Sequence, residues 1–253
     1  MIEVNRFVNI LNSADGVYCI GRKSTEIFDL LFTNKDINAF QFERPDILIP
    51  RPDRNILLEQ FQFDASESVK KSSSQKMEQA EVDRQFEKSM NESELDVVKI
   101  KEHKYKNKSS LRDYESNLNR IFDKHASKYK SYIQNYQNSK NEMLKYNIYH
   151  QNFDFGFIIE DASLLPNIMM TTKDYIKYLL TPFHFDSFKE RLKNNKNIMH
   201  MFFITSDGAG KYVVYYFYNH DIEDLADFKI DVQDHLIDFT PIHISGTIKI
   251  PNK

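Results

Sequence analysis

Tryptophan is absent, cysteine occurs once and glycine only six times in 253 residues. A lone Cys19 excludes a disulfide framework and a cysteine-built zinc site, and it fits a reducing, cytoplasmic setting. No run of about 18 apolar residues occurs, so no membrane-crossing helix is expected. The opening stretch MIEVNRFVNILNS carries acid and amide groups and lacks the apolar core of a secretory signal, so none is expected. Positive charge is not in excess either. The formal net charge is -3 and the pI about 6.3, which excludes a wholly basic nucleic-acid binder and leaves a local basic patch open. Neither H-E-x-x-H nor H-x-x-x-H occurs, so a zinc hydrolase has no support. No internal repeat is present.

What is present is a chain that changes character twice. Val4, Phe7, Val8 and Leu11 share one helical face. Turn residues NSADG follow, then a short strand VYCIG and a helix that Ser24 can cap. DILIP and NILLEQFQF read as two strands joined by the turn PRPDR. From residue 65 to 109 the chain is polar and rich in Ser, Lys and Glu; a helix is expected over residues 74–90, then an exposed connection. Tyr114, Leu118, Ile121, Phe122, His125, Tyr129, Tyr132 and Tyr136 form a seam at helical spacing. That seam predicts one long helix near residues 110–145, projecting as an arm.

Strand character returns with FGFIIED, IMHMFFITS and KYVVYYFYN. The last two are apolar on both faces, as in a covered central sheet. Helices are expected at DYIKYLL, at DSFKERLKN and, shorter, over residues 221–228; IHISGTIKI reads as a late strand. The class is therefore α/β, a mixed central sheet flanked by helices. Residues 1–64 and 150–253 build the core, and residues 65–149 form a helical insertion.

The stretch RPDILIPRPDRNILLEQFQFD carries the candidate chemistry. It sets Asp46 at the head of one apolar run and Glu59 in the middle of the next. A carboxylate beside a strand core is costly unless something pairs with it. Adjacent strands can aim two such groups at one point, where anionic oxygens suit a hard divalent cation. In the competing reading Asp46 caps a turn and Glu59 pairs with Arg44, Arg51 or Arg54.

An acidic residue on a helix (Glu26), then Pro45-Asp46 on a strand, then a strand carrying Glu59-Gln60-Phe61, resembles the PD-(D/E)xK, or restriction-endonuclease-like, nuclease superfamily. The resemblance covers roughly residues 20–64 and implies a restriction-endonuclease-like core with a long helical insertion. It implies a nuclease of DNA or RNA phosphodiesters, with Asp46 and Glu59 holding Mg2+ or Mn2+ and Glu26 assisting. The chain departs from the pattern at the motif lysine, where Phe61 stands; Lys70 or Lys71 would supply the charge by migration. The alternative is a catalytically inactive module that binds nucleic acid or protein through the arm.

Other candidates carry less. Glu160-Asp161 ends a strand, where carboxylates suit a site but also simply meet water. SDGAGK lacks phosphate-loop spacing and reads as a hairpin at Asp207-Gly208. His200 reads as a core histidine and Cys19 as a core residue. Residues 99–130 hold ten Lys/Arg against four Asp/Glu, while residues 64–96 hold nine acidic against five basic. Lys99, Lys101, Lys104, Lys106 and Lys108 would meet phosphates, or the two segments pair and neutralise each other. The long helix also offers a seam for a homo-oligomer. No membrane partner is expected.

Overall fold

The structure is a computed structural model. It describes residues 4–13, 16–32, 39–43, 45–65, 80, 81, 83–85, 88, 110–163, 167–171, 177–206, 211–220, 222–230 and 234 and, as backbone, residues 99–104, 235, 236 and 242–247.

The helices are α1 (Val4–Ser13), α2 (Arg22–Phe32), α3 (Leu111–Ala126), α4 (Tyr129–Asn138), α5 (Lys140–Lys145) and α6 (Asp186–Asn194). The strands are β1 (Val17–Cys19), β2 (Phe40–Gln41), β3 (Ile47–Pro50), β4 (Asn55–Phe63), β5 (Lys99–Lys104), β6 (Phe153–Asp161), β7 (Ile168–Met170), β8 (Lys177–Leu179), β9 (Ile198–Ser206), β10 (Tyr212–Tyr218), β11 (His235–Leu236) and β12 (Ile242–Thr247). Seven strands form one mixed sheet in the order β1-β10-β9-β6-β4-β3-β2. β4, β6 and β9 run parallel at its centre, while β2, β3 and β4 form an antiparallel meander at one edge.

Both faces of this sheet are covered, which is why its central strands read as unbroken apolar runs. On one face, Phe7 and Ile10 of α1 and Phe28, Leu31 and Phe32 of α2 pack on Ile56, Leu58, Ile158, Phe202 and Tyr216. On the other, Tyr114, Leu118 and Phe122 of α3 and Tyr132 and Tyr136 of α4 pack on Leu57, Phe61, Phe63, Phe155 and Phe157. Each such fully buried side chain contributes about 1.5–3 kcal/mol. Two sequence-distant halves thus share one three-layered body.

The seam at 110–145 differs from its expectation. It forms three helices, and its aromatic face is buried against the sheet instead of projecting. The joints fall at two serines. Ser127 Oγ bonds the carbonyl of Lys124 at 2.9 Å and Ser139 Oγ that of Asn135 at 3.0 Å, a side-chain competition that bends or ends helices. The breaks let one apolar seam follow a twisted sheet, and burial removes it as a surface for self-pairing. Ser110 caps α3, its Oγ accepting from the Asp113 N–H at 3.1 Å.

Three further expectations change. The basic stretch Lys99–Lys104 is a strand, paired antiparallel with β12. The expected helix at DYIKYLL gives way at Lys177–Leu179 to a strand between β7 and the following turn, in a small sheet of order β11-β7-β8. The expected helix near 221–228 is a single 3-10 turn, Ile222–Leu225. Asp207-Gly208 lies outside the described residues, as does most of the expected helix at 74–90.

Candidate carboxylate site

β3 and β4 pair with Ile47 opposite Leu58 and Leu48 opposite Leu57. One further step along that register sets Asp46 opposite Glu59. Side chains directly opposite in an antiparallel pair share a face, and this face is the one that carries Leu48, Leu57 and Phe61 beneath α3 and α4. Both acids are 7% exposed. Two buried acids thus stand on neighbouring segments of the sheet edge.

The two carboxylates are held differently. β3 ends at Ile47, and beyond it Asp46 Oδ2 accepts the Gln60 backbone N–H at 2.8 Å. Burial raises the Asp46 carboxyl above the ordinary range; the Gln60 N–H opposes this, while the negative charge of Glu59 adds to it and His125 counters it. Glu59 Oε1 lies 3.4 Å from His125 Nδ1. Its Oε2 is buried and has no hydrogen-bond partner among the described residues. Two of the three arginines expected as partners for Glu59 pair elsewhere. Arg51 bonds the Leu31 carbonyl, and Arg54 bonds Asp53 and Asp154; Arg44 lies outside the described residues.

His125 completes the cluster from the last turn of α3. Its ring stacks on Phe61 with centroids 4.7 Å apart, and Tyr132 OH sits 3.2 Å from the same Nδ1 that faces Glu59. Phe61 also meets Phe157 edge-on. Phe61 is thus 5% exposed and serves as a platform for the imidazole. His125 was visible in the sequence only as a polar member of an aromatic seam. Its distance from Glu59 in the chain hid the contact.

Glu26 is not brought to this site. It lies on α2, which covers the opposite face, is 60% exposed and pairs with Arg22 one turn earlier at 2.8 Å. Lys70, Lys71, Lys106 and Lys108 lie outside the described residues. Lys99, Lys101 and Lys104 are placed on β5, opposite Thr247, Ser245 and Ile242 of β12.

The remaining candidates are separately accounted for. Glu160 faces the α1 side, where Arg6 bonds it at 2.8 Å and Gln62 at 2.6 Å. Asp161 accepts from the Ser163 N–H and from Asn167 Nδ2, both at 3.0 Å; burial pushes its carboxyl up to about 6. His200 is fully buried, with Nδ1 2.8 Å from Tyr216 OH. Burial pushes the Cys19 thiol up to about 11, which leaves it protonated and unreactive.

Among the described residues, no three His, Cys, Asp or Glu side chains stand ready around one ion, and no helix is long and apolar enough to cross a membrane. Comparison with known protein families, with curated protein sequences and with solved structures returned no match to this chain.

Proposed function

We propose that this chain is a divalent-metal-dependent hydrolase of nucleic-acid phosphodiesters with a restriction-endonuclease-like core, centred on Asp46 and Glu59. The observation that carries the reading is the β3–β4 register, which sets the two buried acids opposite each other on one face. The donor set fits a hard cation. Glu59 Oε2 is a buried oxygen that no described residue satisfies, and an anionic oxygen pair suits Mg2+ or Mn2+. Asp46 and Glu59 would supply the protein ligands of such an ion. Such an ion polarises a phosphodiester and lowers the pKa of bound water.

The chain's own residues would divide the work as follows. The Gln60 N–H fixes the Asp46 carboxylate, and His125 orients Glu59 through Oε1. The stacked Phe61 and the Tyr132 hydroxyl hold the His125 ring. A hydrolase of DNA or RNA should show cleavage that requires Mg2+ or Mn2+ and falls to background in Asp46→Ala and Glu59→Ala. Full activity in both variants would remove the site from consideration.

Phe61 favours a second reading. A buried aromatic where the pattern has lysine leaves no cation beside Glu59 on that strand. The corresponding protein would be a non-catalytic nucleic-acid- or protein-binding module, with Lys99, Lys101, Lys104, Lys106 and Lys108 meeting phosphates. Metal-independent binding that weakens when these lysines become alanine, without any cleavage, would select it.

A further inference from the structure

A cavity of about 720 Å3 opens at the sheet edge, between β2 and the helices α4 and α5. Neither Asp46 nor Glu59 lines it, but its wall reaches the chain segment that carries Asp46. Leu48 lines it and lies two residues along β3 from Asp46, about 6–7 Å of strand. Gln41 and Phe42, also in its wall, both donate to the Asp46 carbonyl, at 3.2 and 2.9 Å.

Its chemistry is selective. Phe40 and Tyr146 offer aromatic surface, and Tyr146 is 71% exposed at the lip. Asn147 takes a left-handed backbone conformation (φ 57), a reversal that lets both Tyr146 and Ile148 line the wall. Asn135 and Asn138 add carboxamide-bearing side chains to the lining. Among the described residues the charged lining side chains are Glu43 and Glu142. These two carboxylates repel a phosphate. A neutral planar ring that stacks on aromatics and presents amino hydrogens to carboxylates and carboxamides matches every feature.

We propose that this cavity is a subsite for an unpaired nucleobase carrying an exocyclic amino group, which makes single-stranded nucleic acid the substrate class. This rests on the phosphodiester-hydrolase reading, because it is the Asp46–Glu59 pair that gives a base subsite its purpose.

The test is binding in EDTA, where no metal-dependent cleavage occurs. Fluorescent 12-mers of oligo-dC and oligo-dT and a duplex of mixed sequence are titrated against the full chain. Oligo-dC should bind roughly five- to tenfold tighter than oligo-dT, and both single strands tighter than the duplex. Tyr146→Ala should weaken both single strands, and the double variant Asn135→Ala/Asn138→Ala should erase the dC preference. These positions are half-buried or exposed, and unchanged thermal unfolding will verify that the variants fold.

Equal affinity for dC and dT, or a preference that survives the double variant, overturns the proposal. Absence of all oligonucleotide binding overturns it too and leaves the cavity to a protein segment. The two readings fail separately. A protein that cleaves in Mn2+ without discriminating bases loses the subsite alone. One that discriminates bases but never cleaves keeps the subsite and loses the hydrolase.

Discussion

Asp46→Asn separates a ligand from a structural cap. Asparagine keeps an oxygen to accept the Gln60 N–H at 2.8 Å, so the cap survives. It removes a negative charge that burial and Glu59 both disfavour. Relief of an imperfectly compensated buried group is worth about 1 kcal/mol, or roughly 2–4 °C in Tm for a chain of this size. In EDTA at neutral pH the variant should therefore melt at or above the wild-type temperature. The sign follows from linkage. A carboxyl whose folded pKa is raised stabilises the fold only while protonated, and that contribution is lost as pH rises through the folded value. The advantage of the variant should thus be present at neutral pH and shrink as pH falls toward the ordinary aspartate value of about 4, well below which the wild-type group is protonated in both states. A divalent cation should reverse the order. At a hundred times its Kd a cation stabilises the wild type by about 2.7 kcal/mol, roughly 5–11 °C, and the variant by much less. Differential scanning fluorimetry with EDTA, Mg2+ and Mn2+ across pH 4–8 reads all of this. If no cation shifts the wild type more than the variant, Asp46 is a cap and nothing more; a variant that melts several degrees lower in EDTA would refute the claim that its buried charge is disfavoured.

Three other perturbations have definite expected outcomes. Phe61→Lys should cost about 3–5 kcal/mol because the ring is 5% exposed between His125 and Phe157; a gain in cleavage without loss of Tm would refute the platform role. Gly156→Ala should lower Tm by roughly 6–12 °C, since a Cβ there would lie 2.3 Å from the His200 carbonyl oxygen, and backbone overpacking costs about 3 kcal/mol; an unchanged melting curve would show that β6 and β9 can part. Burial pushes His184 down to about 4, and its Nδ1 accepts the Thr181 N–H at 3.0 Å. A depressed folded value means stability that is complete above the ordinary imidazole range and is lost as pH falls toward 4. His184→Asn keeps an acceptor and should flatten that acid loss; the raised Asp161 carboxyl acts in the opposite sense in both proteins, so the difference between their pH profiles isolates His184.

Period and composition made much of the fold legible from the chain alone. The apolar face of α1 at Val4 and Phe7, the strands around DILIP and NILLEQFQF, and the two-faced runs of β9 and β10 are all consequences of local spacing meeting a covered sheet. Asp46 and Glu59 were legible too, because a carboxylate inside an apolar run is conspicuous and a short turn forces neighbouring strands into register. Where local signals were absent or ambiguous, expectation and structure diverge. An aromatic seam reads the same whether it packs on a second chain or folds back on its own sheet. Only the joints at Ser127 and Ser139 and the surface of β4 and β6 decide that it lies down. Lys99–Lys104 became a strand because β12, far along the chain, supplies its backbone partners.

The sequence by itself determined the class, the strand pair and the two acids, since each depends on residues within a few positions of one another. Tertiary structure alone decided that His125 stands beside Glu59, that Phe61 lies under it, and that Glu26 belongs to the other face. Those are contacts between elements separated by dozens of residues, set by which side of the sheet each helix covers, and no local pattern of side chains encodes that choice.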